Sequence, residues 1–343
     1  MKQVRSILAV LALIVVMGVM LLGCAGGNKD ENTAGAESGT KAGSSGSGNK
    51  TGSSSGAPES NSSEESATRS YTDYKGHKVV IPVAPKRVIF AGETTGDLIE
   101  LGIQPVGIFG GTALKGRLYE HELTQAEDIG FPINLEKVTS LNPDFIIVGD
   151  TDPQAYENLV KIAPTIMLDT FAALDKRITE LGDLFGKKQE AADWLKAYDT
   201  KAAAMWKQLH ETVLKPGETA SVFTYYPGDR LFVMARAGLP QLLYGKGGFK
   251  ATAPIQKILD AGDGFKTISL ETIEQVAGDH IFILGPVADE AKQSTEDLLK
   301  NPIWKSLPAV KKGHVYSLDI LKSDSDAYTR KWLLEELPKM LSK

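Results

Sequence analysis

Two glutamates recur in one setting. Glu136 stands in Leu135-Glu136-Lys137-Val138, eight residues before Asp144, which opens the apolar run Phe145-Ile146-Ile147-Val148. Glu271 stands in Leu270-Glu271-Thr272-Ile273, eight residues before Asp279, which opens His280-Ile281-Phe282-Ile283-Leu284. The copies are 135 residues apart. Each reads as a short helix carrying a carboxylate, a tight turn and a buried strand. A fold built twice from one plan gives two lobes, and two lobes make a cleft. Taken singly, each glutamate is an acidic residue near a helix start, where the dipole favours it.

Other residues that could do chemistry argue for binding without catalysis. The chain has no Gly-x-Ser-x-Gly elbow, no Walker loop and no zinc-protease helix. His77, His121, His210, His280 and His314 are scattered, without the paired spacing of a metal site. Cys24 is the only cysteine, so no internal disulfide can form. The formal charge is −5, and no basic cluster with interleaved aromatics appears, which argues against a nucleic-acid partner.

The elements that must position these residues alternate. Strands are expected at Arg87–Ala91, Pro105–Phe109, Asp144–Gly149 and Thr165–Asp169, then at Ala220–Tyr226, Arg230–Ala235, Asp279–Gly285 and His314–Asp319. Helices are expected at Thr95–Leu101, Pro153–Ala163, Pro240–Tyr244 and Thr252–Ala261. Tyr71 to Pro82 reads as a leading hairpin around Lys75-Gly76, and Pro227-Gly228-Asp229 as a hairpin turn. Uninterrupted apolar strands between helices imply an α/β fold of two similar lobes with largely parallel sheets. Lys187 to Leu214 contains no Gly or Pro, and Ala191, Leu195, Tyr198, Ala202, Met205 and Leu209 mark one apolar face. This is a single long helix of roughly 40 Å at 1.5 Å per residue. It either joins the lobes, packs on one of them, or does both.

The start of the chain is of another kind. Lys2 and Arg5 precede the uncharged apolar run Ile7 to Leu22, which ends at Leu21-Leu22-Gly23-Cys24. Residues 1–23 read as a secretory signal peptide, and the segment resembles a bacterial lipobox, in which the cysteine is lipidated and becomes the first residue. An uncleaved membrane helix ending at an ordinary cysteine is the alternative. Cleavage removes two of the 38 basic residues and none of the 43 acidic ones, leaving 36 against 43. Residues 24–70 are Gly-, Ser- and Thr-rich with almost nothing to bury, and read as a disordered tether behind the lipidated Cys24. The expected order is then an N-terminal lobe at 71–186, the inter-lobe helix at 187–214 and a C-terminal lobe at 215–343.

Across about 71–343 the chain resembles the iron–siderophore and cobalamin solute-binding proteins of ABC importers. The resemblance is carried by Pro85-Lys86-Arg87-Val88-Ile89, Asp97-Leu98-Ile99-Glu100-Leu101-Gly102, Asp128-Ile129-Gly130, Asn134-Leu135-Glu136-Lys137-Val138 and Leu141-Asn142-Pro143-Asp144. It continues with Lys161-Ile162-Ala163-Pro164-Thr165, Trp304-Lys305-Ser306-Leu307-Pro308-Ala309-Val310 and Gly313-His314-Val315-Tyr316. It implies two α/β lobes joined by one long helix, and no enzymatic activity or intrinsic cofactor. The cargo would be a ferric siderophore, a hydroxamate first, with cobalamin, haem or a catecholate siderophore as alternatives. A sensor or receptor of the same fold is a further one. The implied partners are an ABC permease dimer with its ATPase, and the membrane through the lipid anchor. The implied protein is a monomer on the extracytoplasmic face of the cell membrane.

The resemblance also assigns roles. Glu136 and Glu271 match the carboxylates, one per lobe, that pair with permease arginines. Two carboxylates on a rigid body fix both position and orientation through bidentate arginine contacts. Arg236 matches a ligand-contacting arginine of hydroxamate-binding members. Arginine with aromatic neighbours suits an oxygen-rich chelate with an organic shell. Ligands of open α/β lobes sit beyond the strand ends, which selects the loops after Ala91, Phe109, Gly149, Asp169, Ala235, Gly285 and Asp319. In the first lobe that adds Phe109, Lys115, Arg117 and Tyr119, beside Gly110-Gly111. The pattern departs from hydroxamate-binding members at Phe131, where some have arginine. It departs again at Thr151-Asp152, where a tyrosine is used, and at Ile320-Leu321-Lys322, where an aromatic is common. Phe131 packs either on the ligand or in the core.

Overall fold

The structure, a computed structural model, describes residues 67–109, 114–149, 152–286 and 289–342. The expected leader, Cys24, the tether as far as residue 66, Gly110-Gly111 and Thr151 lie outside the described residues. The leading hairpin pairs β1 (Thr68–Thr72) with β2 (Lys78–Pro82). It begins three residues before the expected edge of the tether at residue 71. Asp73 holds it to the first lobe by accepting from the Met167 N–H (2.9 Å), and Arg69 does so through Asp183 (2.8 Å).

The first lobe is one fully parallel sheet. Its strands are β3 (Val88–Ala91), β4 (Gly107–Ile108), β5 (Glu127–Asp128), β6 (Phe145–Val148) and β7 (Thr165–Met167), in the order β5-β4-β3-β6-β7. The helices between them are α1 (Thr95–Glu100), α2 (Leu135–Ser140) and α3 (Pro153–Leu159), followed by α4 (Leu174–Leu184). Every residue of β3, β6 and β7 is buried, as strands covered on both faces require. Helix starts follow local chemistry. Asn134 caps α2 by accepting from the Glu136 and Lys137 N–H groups, and Asp152 caps α3 ahead of Pro153.

The long helix is α5 (Lys188–Thr212), about 37 Å by its rise per residue. Of the expected face, Ala191, Tyr198, Met205 and Leu209 are buried, with Trp206 beside them. The helix packs on α4 of the first lobe and lies within a core cluster that includes Phe90 and Phe145 of one lobe and Val222 and Phe282 of the other. It therefore joins the lobes through a shared core.

The second lobe carries β8 (Thr219–Tyr226), β9 (Arg230–Met234), β10 (Lys250–Ala251), β11 (Phe265–Ile268), β12 (His280–Gly285) and β13 (Val315–Asp319). Its main order is β11-β9-β8-β12-β13, with β10 pairing β8. Strands β8, β12 and β13 are parallel, whereas β9 runs antiparallel to β8 across the Pro227-Gly228-Asp229 turn. Its helices are α6 (Pro240–Leu243), α7 (Ala253–Asp260), α8 (Ile273–Val276), α9 (Asp289–Lys300), α10 (Pro302–Ser306) and α11 (Pro308–Lys311).

The last helix, α12 (Ala327–Leu341), corrects the expected division at 215–343. It packs on α1 and α5. Its Ala327 N–H donates to Asp97 (2.7 Å), and Arg330 donates to the Tyr198 hydroxyl (2.9 Å). The chain thus returns to the first lobe after the 3₁₀ turn Ile320–Lys322. Two connections join the lobes, α5 and the segment 323–326.

Candidate functional site

At the first lobe, the ends of β3, β6 and β7 converge. A methyl group on Gly92 would lie 3.2 Å from Thr170 Cγ2, and one on Gly149 3.3 Å from the same atom and 3.6 Å from Glu93 Oε2. These strand ends approach closely, with Glu93 exposed above them. Asp169 and Phe171 follow β7 and face the second lobe.

Arg236 lies opposite. Its guanidinium donates to the Gly262 carbonyl of its own lobe (2.6 Å) and to the Phe171 carbonyl of the first lobe (2.9 Å), with an Asp169 oxygen at 4.0 Å. The side chain remains 30% exposed. Because β9 is antiparallel, Arg236 stands level with the start of β8, at the opposite end of the sheet from the loops after Gly285 and Asp319. Of the second-lobe loops selected above, the one after Ala235 therefore lies apart from the other two. A groove of about 1240 Å³ opens beside Arg236, with Asp169 and Phe171 on one wall, Gln241 and Tyr244 on the other, and Tyr198 and Trp206 of α5 at the back.

Gln241 had no signal in the sequence. It donates to the Arg236 carbonyl (2.9 Å) and accepts from Arg177 (3.4 Å). Arg177 is fully buried, pairs with buried Asp97 (2.7 Å) and donates to the Ser325 carbonyl (2.6 Å). Arg236 therefore rests, through Gln241, on a buried ionic junction where the segment 323–326 crosses between lobes. Asp326 lies in this junction. Burial, and then the neighbouring Asp97 charge, push its carboxyl up to about 6. Its Oδ1 caps α12 through the Thr329 N–H, and its Oδ2 has no partner among the described residues.

The other expected ligand residues do not gather at Arg236. Tyr119 is 1% exposed, packed with Ile108 and Leu123 and edge-on to Tyr328. It is a core residue, which corrects its assignment to the ligand. Arg117 forms an ion pair with Asp324 of the crossing segment. Phe109 and Phe131 pack edge to face at 5.5 Å, in the loops after β4 and β5. Strand β5 is the edge opposite β7, four strand spacings away, or roughly 19 Å. Phe131 is 50% exposed there.

The doubled motif keeps its plan in three dimensions. Asp144 accepts from the Lys86 and Arg87 N–H groups at the start of β3, and Asp279 accepts from the Thr219 N–H and hydroxyl at the start of β8. Each aspartate thus ties its own strand to the neighbouring central strand. Glu136 is exposed in the first turn of α2, and Glu271 in the 3₁₀ turn Leu270–Thr272 before α8. Hydrogen bonds from the Glu271 backbone and the Ser269 side chain hold the Glu271 carboxyl below the usual range, which keeps it ionised.

A family model described as periplasmic binding protein matches residues 88–320. The iron(3+)-hydroxamate-binding protein FhuD of Bacillus subtilis is 33% identical over 268 residues, covering 76% of this chain and 82% of that protein. Among solved structures, Staphylococcus aureus SirA complexed with staphyloferrin B is similar with a TM-score of 0.71 at 29% identity, covering 80% of this chain and 99% of that one. Staphylococcus aureus FhuD2 with bound ferrioxamine B has a TM-score of 0.65 at 27% identity, covering 75% and 98%.

Proposed function

The chain belongs to the periplasmic binding protein family, a family of solute-binding proteins, and we propose that it captures a ferric siderophore between its lobes and delivers it to an ABC importer. The observation that carries this reading is the inter-lobe groove in which Arg236 of one lobe meets Asp169 and Phe171 of the other. Arg236 spends two donors on backbone carbonyls and has five. The rest suit the oxygen-rich face of a metal chelate, and the aromatic back wall suits its organic shell. A hydroxamate is the first choice of cargo, supported by relatives whose names carry hydroxamate binding. Iron is cargo in this reading, brought in by its chelator.

Delivery follows from the paired carboxylates. Glu136 and Glu271 each project from a lobe, and the two lobes share one core. They seat the protein on the arginines of a permease dimer, which the transporter's ATPase then drives. A lipid on Cys24 holds the monomer at the extracytoplasmic face of the membrane. The Glu136→Ala, Glu271→Ala double variant tests delivery: uptake is lost while siderophore affinity is retained. Wild-type uptake by the double variant removes the docking role.

A further inference from the structure

We infer that Gln241 is a positioning residue for capture: it fixes Arg236 against the first-lobe wall of the groove before cargo arrives. This rests on the capture reading above. The backbone around Arg236 is held twice over. Within its own lobe, the N–H groups of Ala235, Arg236 and Ala237 all donate to the Gly264 carbonyl (2.9, 2.9 and 3.1 Å). Gln241, five residues on in α6, donates from Nε2 to the Arg236 carbonyl (2.9 Å). The same nitrogen reaches across to the first lobe, with the Ala172 carbonyl at 3.3 Å and the Phe171 carbonyl at 3.4 Å. Gln241 thus holds both the backbone of Arg236 and the carbonyl to which the Arg236 guanidinium donates.

Only one orientation of the amide fits. Arg177 Nη1 lies 3.4 Å from Gln241 Oε1, and a guanidinium offers donors only. The three carbonyls are acceptors only, so Oε1 faces Arg177 and Nε2 faces the carbonyls. Arg177 is fully buried and also donates to Asp97 and to the Ser325 and Ala172 carbonyls, which fixes its own place. The result is a strip across the lobes. Arg177 and Gln241 share the Ala172 carbonyl, and Gln241 and Arg236 share the Phe171 carbonyl. Of the two arginines, Arg236 alone keeps exposure, at 30% of its side chain. Gln241 lines the groove, but its two amide hydrogens are spent on three carbonyls, which leaves none for cargo. It therefore acts through Arg236. An arginine already set in place gives up less freedom when it meets cargo, and affinity rises by what is saved.

The test is a double-mutant cycle on the full-length protein, with affinity for ferrichrome, ferrioxamine B and ferric citrate measured by isothermal titration. Gln241→Glu keeps the shape and the acceptor toward Arg177 but removes the donors. It is made alone and together with Arg236→Ala, and each variant is first checked for a cooperative urea transition. The expected result is an affinity for the bound chelate lower by roughly fivefold or more in Gln241→Glu. On the Arg236→Ala background the same change costs less than about twofold, because the residue it serves is gone. Should Gln241→Glu fail to fold, Gln241→Met fills the same space without hydrogen bonds and carries the same expectations. Wild-type affinity in the single Gln241 variant overturns the inference. Equal losses on both backgrounds mean that Gln241 acts on the cargo or the fold directly, and overturn it too. Wild-type affinity in Arg236→Ala removes Arg236 and Gln241 from the site together and leaves capture standing. Binding of none of the probes by the wild type overturns the capture reading and the positioning role with it.

Discussion

Arg236 is the residue on which the proposed binding turns. The sequence singled it out by its place just beyond a strand and its match to a ligand-contacting arginine of hydroxamate-binding members. Its bond to the Phe171 carbonyl was not legible, because no local pattern says which backbone lies opposite. Tyr119 shows the converse. Arg117-Leu118-Tyr119 reads as a polar loop with an aromatic contact, yet the ring is 1% exposed under Tyr328. Burial there is decided by α12, which lies more than 200 residues further along. Arg236→Ala is expected to weaken binding of the cognate siderophore tenfold to a hundredfold, about 1.5–3 kcal/mol for hydrogen bonds to a charged group. Isothermal titration of folded variant and wild type checks this, and equal affinities remove Arg236 from the site.

At the scale of elements, the strands were the most legible part, since apolar runs such as Phe145–Val148 must be covered on both faces. The short strands β5, β10 and β11 were missed because two to four mostly polar residues carry no periodic signal. The destination of α12 was also hidden. An apolar helix face states that it is buried but not against what. Its seat on α1 is close. A methyl group on Gly96 would lie 1.9 Å from Asp326 Oδ1 and 2.6 Å from its Cγ. Gly96→Ala therefore destabilises the protein despite alanine's better helix propensity, which is worth at most about 1 kcal/mol. The overpacking penalty is about 1–3 kcal/mol, read as a lower urea midpoint at unchanged slope. A midpoint at or above that of wild type contradicts this seating.

The whole molecule is two lobes on a shared core, crossed twice by the chain, with a buried ionic junction at one crossing. That junction gives stability a definite pH signature. Asp326 is held near 6 when folded, above its ordinary value of 3.8. The folded state thus keeps a proton that the unfolded chain releases, and the contribution is present in full below about 3.8 and lost as pH rises through about 6. Asp326→Asn mimics the protonated form and can still cap α12. Its stability relative to wild type should rise between pH 4 and pH 7, measured by urea unfolding at each pH. A constant difference across that range excludes the linkage. Capture between the lobes is the central claim, and titration of residues 62–343 by tryptophan fluorescence tests it most directly, since Trp206 lines the groove. Ferric hydroxamates, ferric catecholates, haem and cobalamin form the panel. Tight, saturable quenching by a ferric hydroxamate is the predicted result. Absence of binding to every ferric siderophore, by protein with an intact unfolding transition, would contradict it.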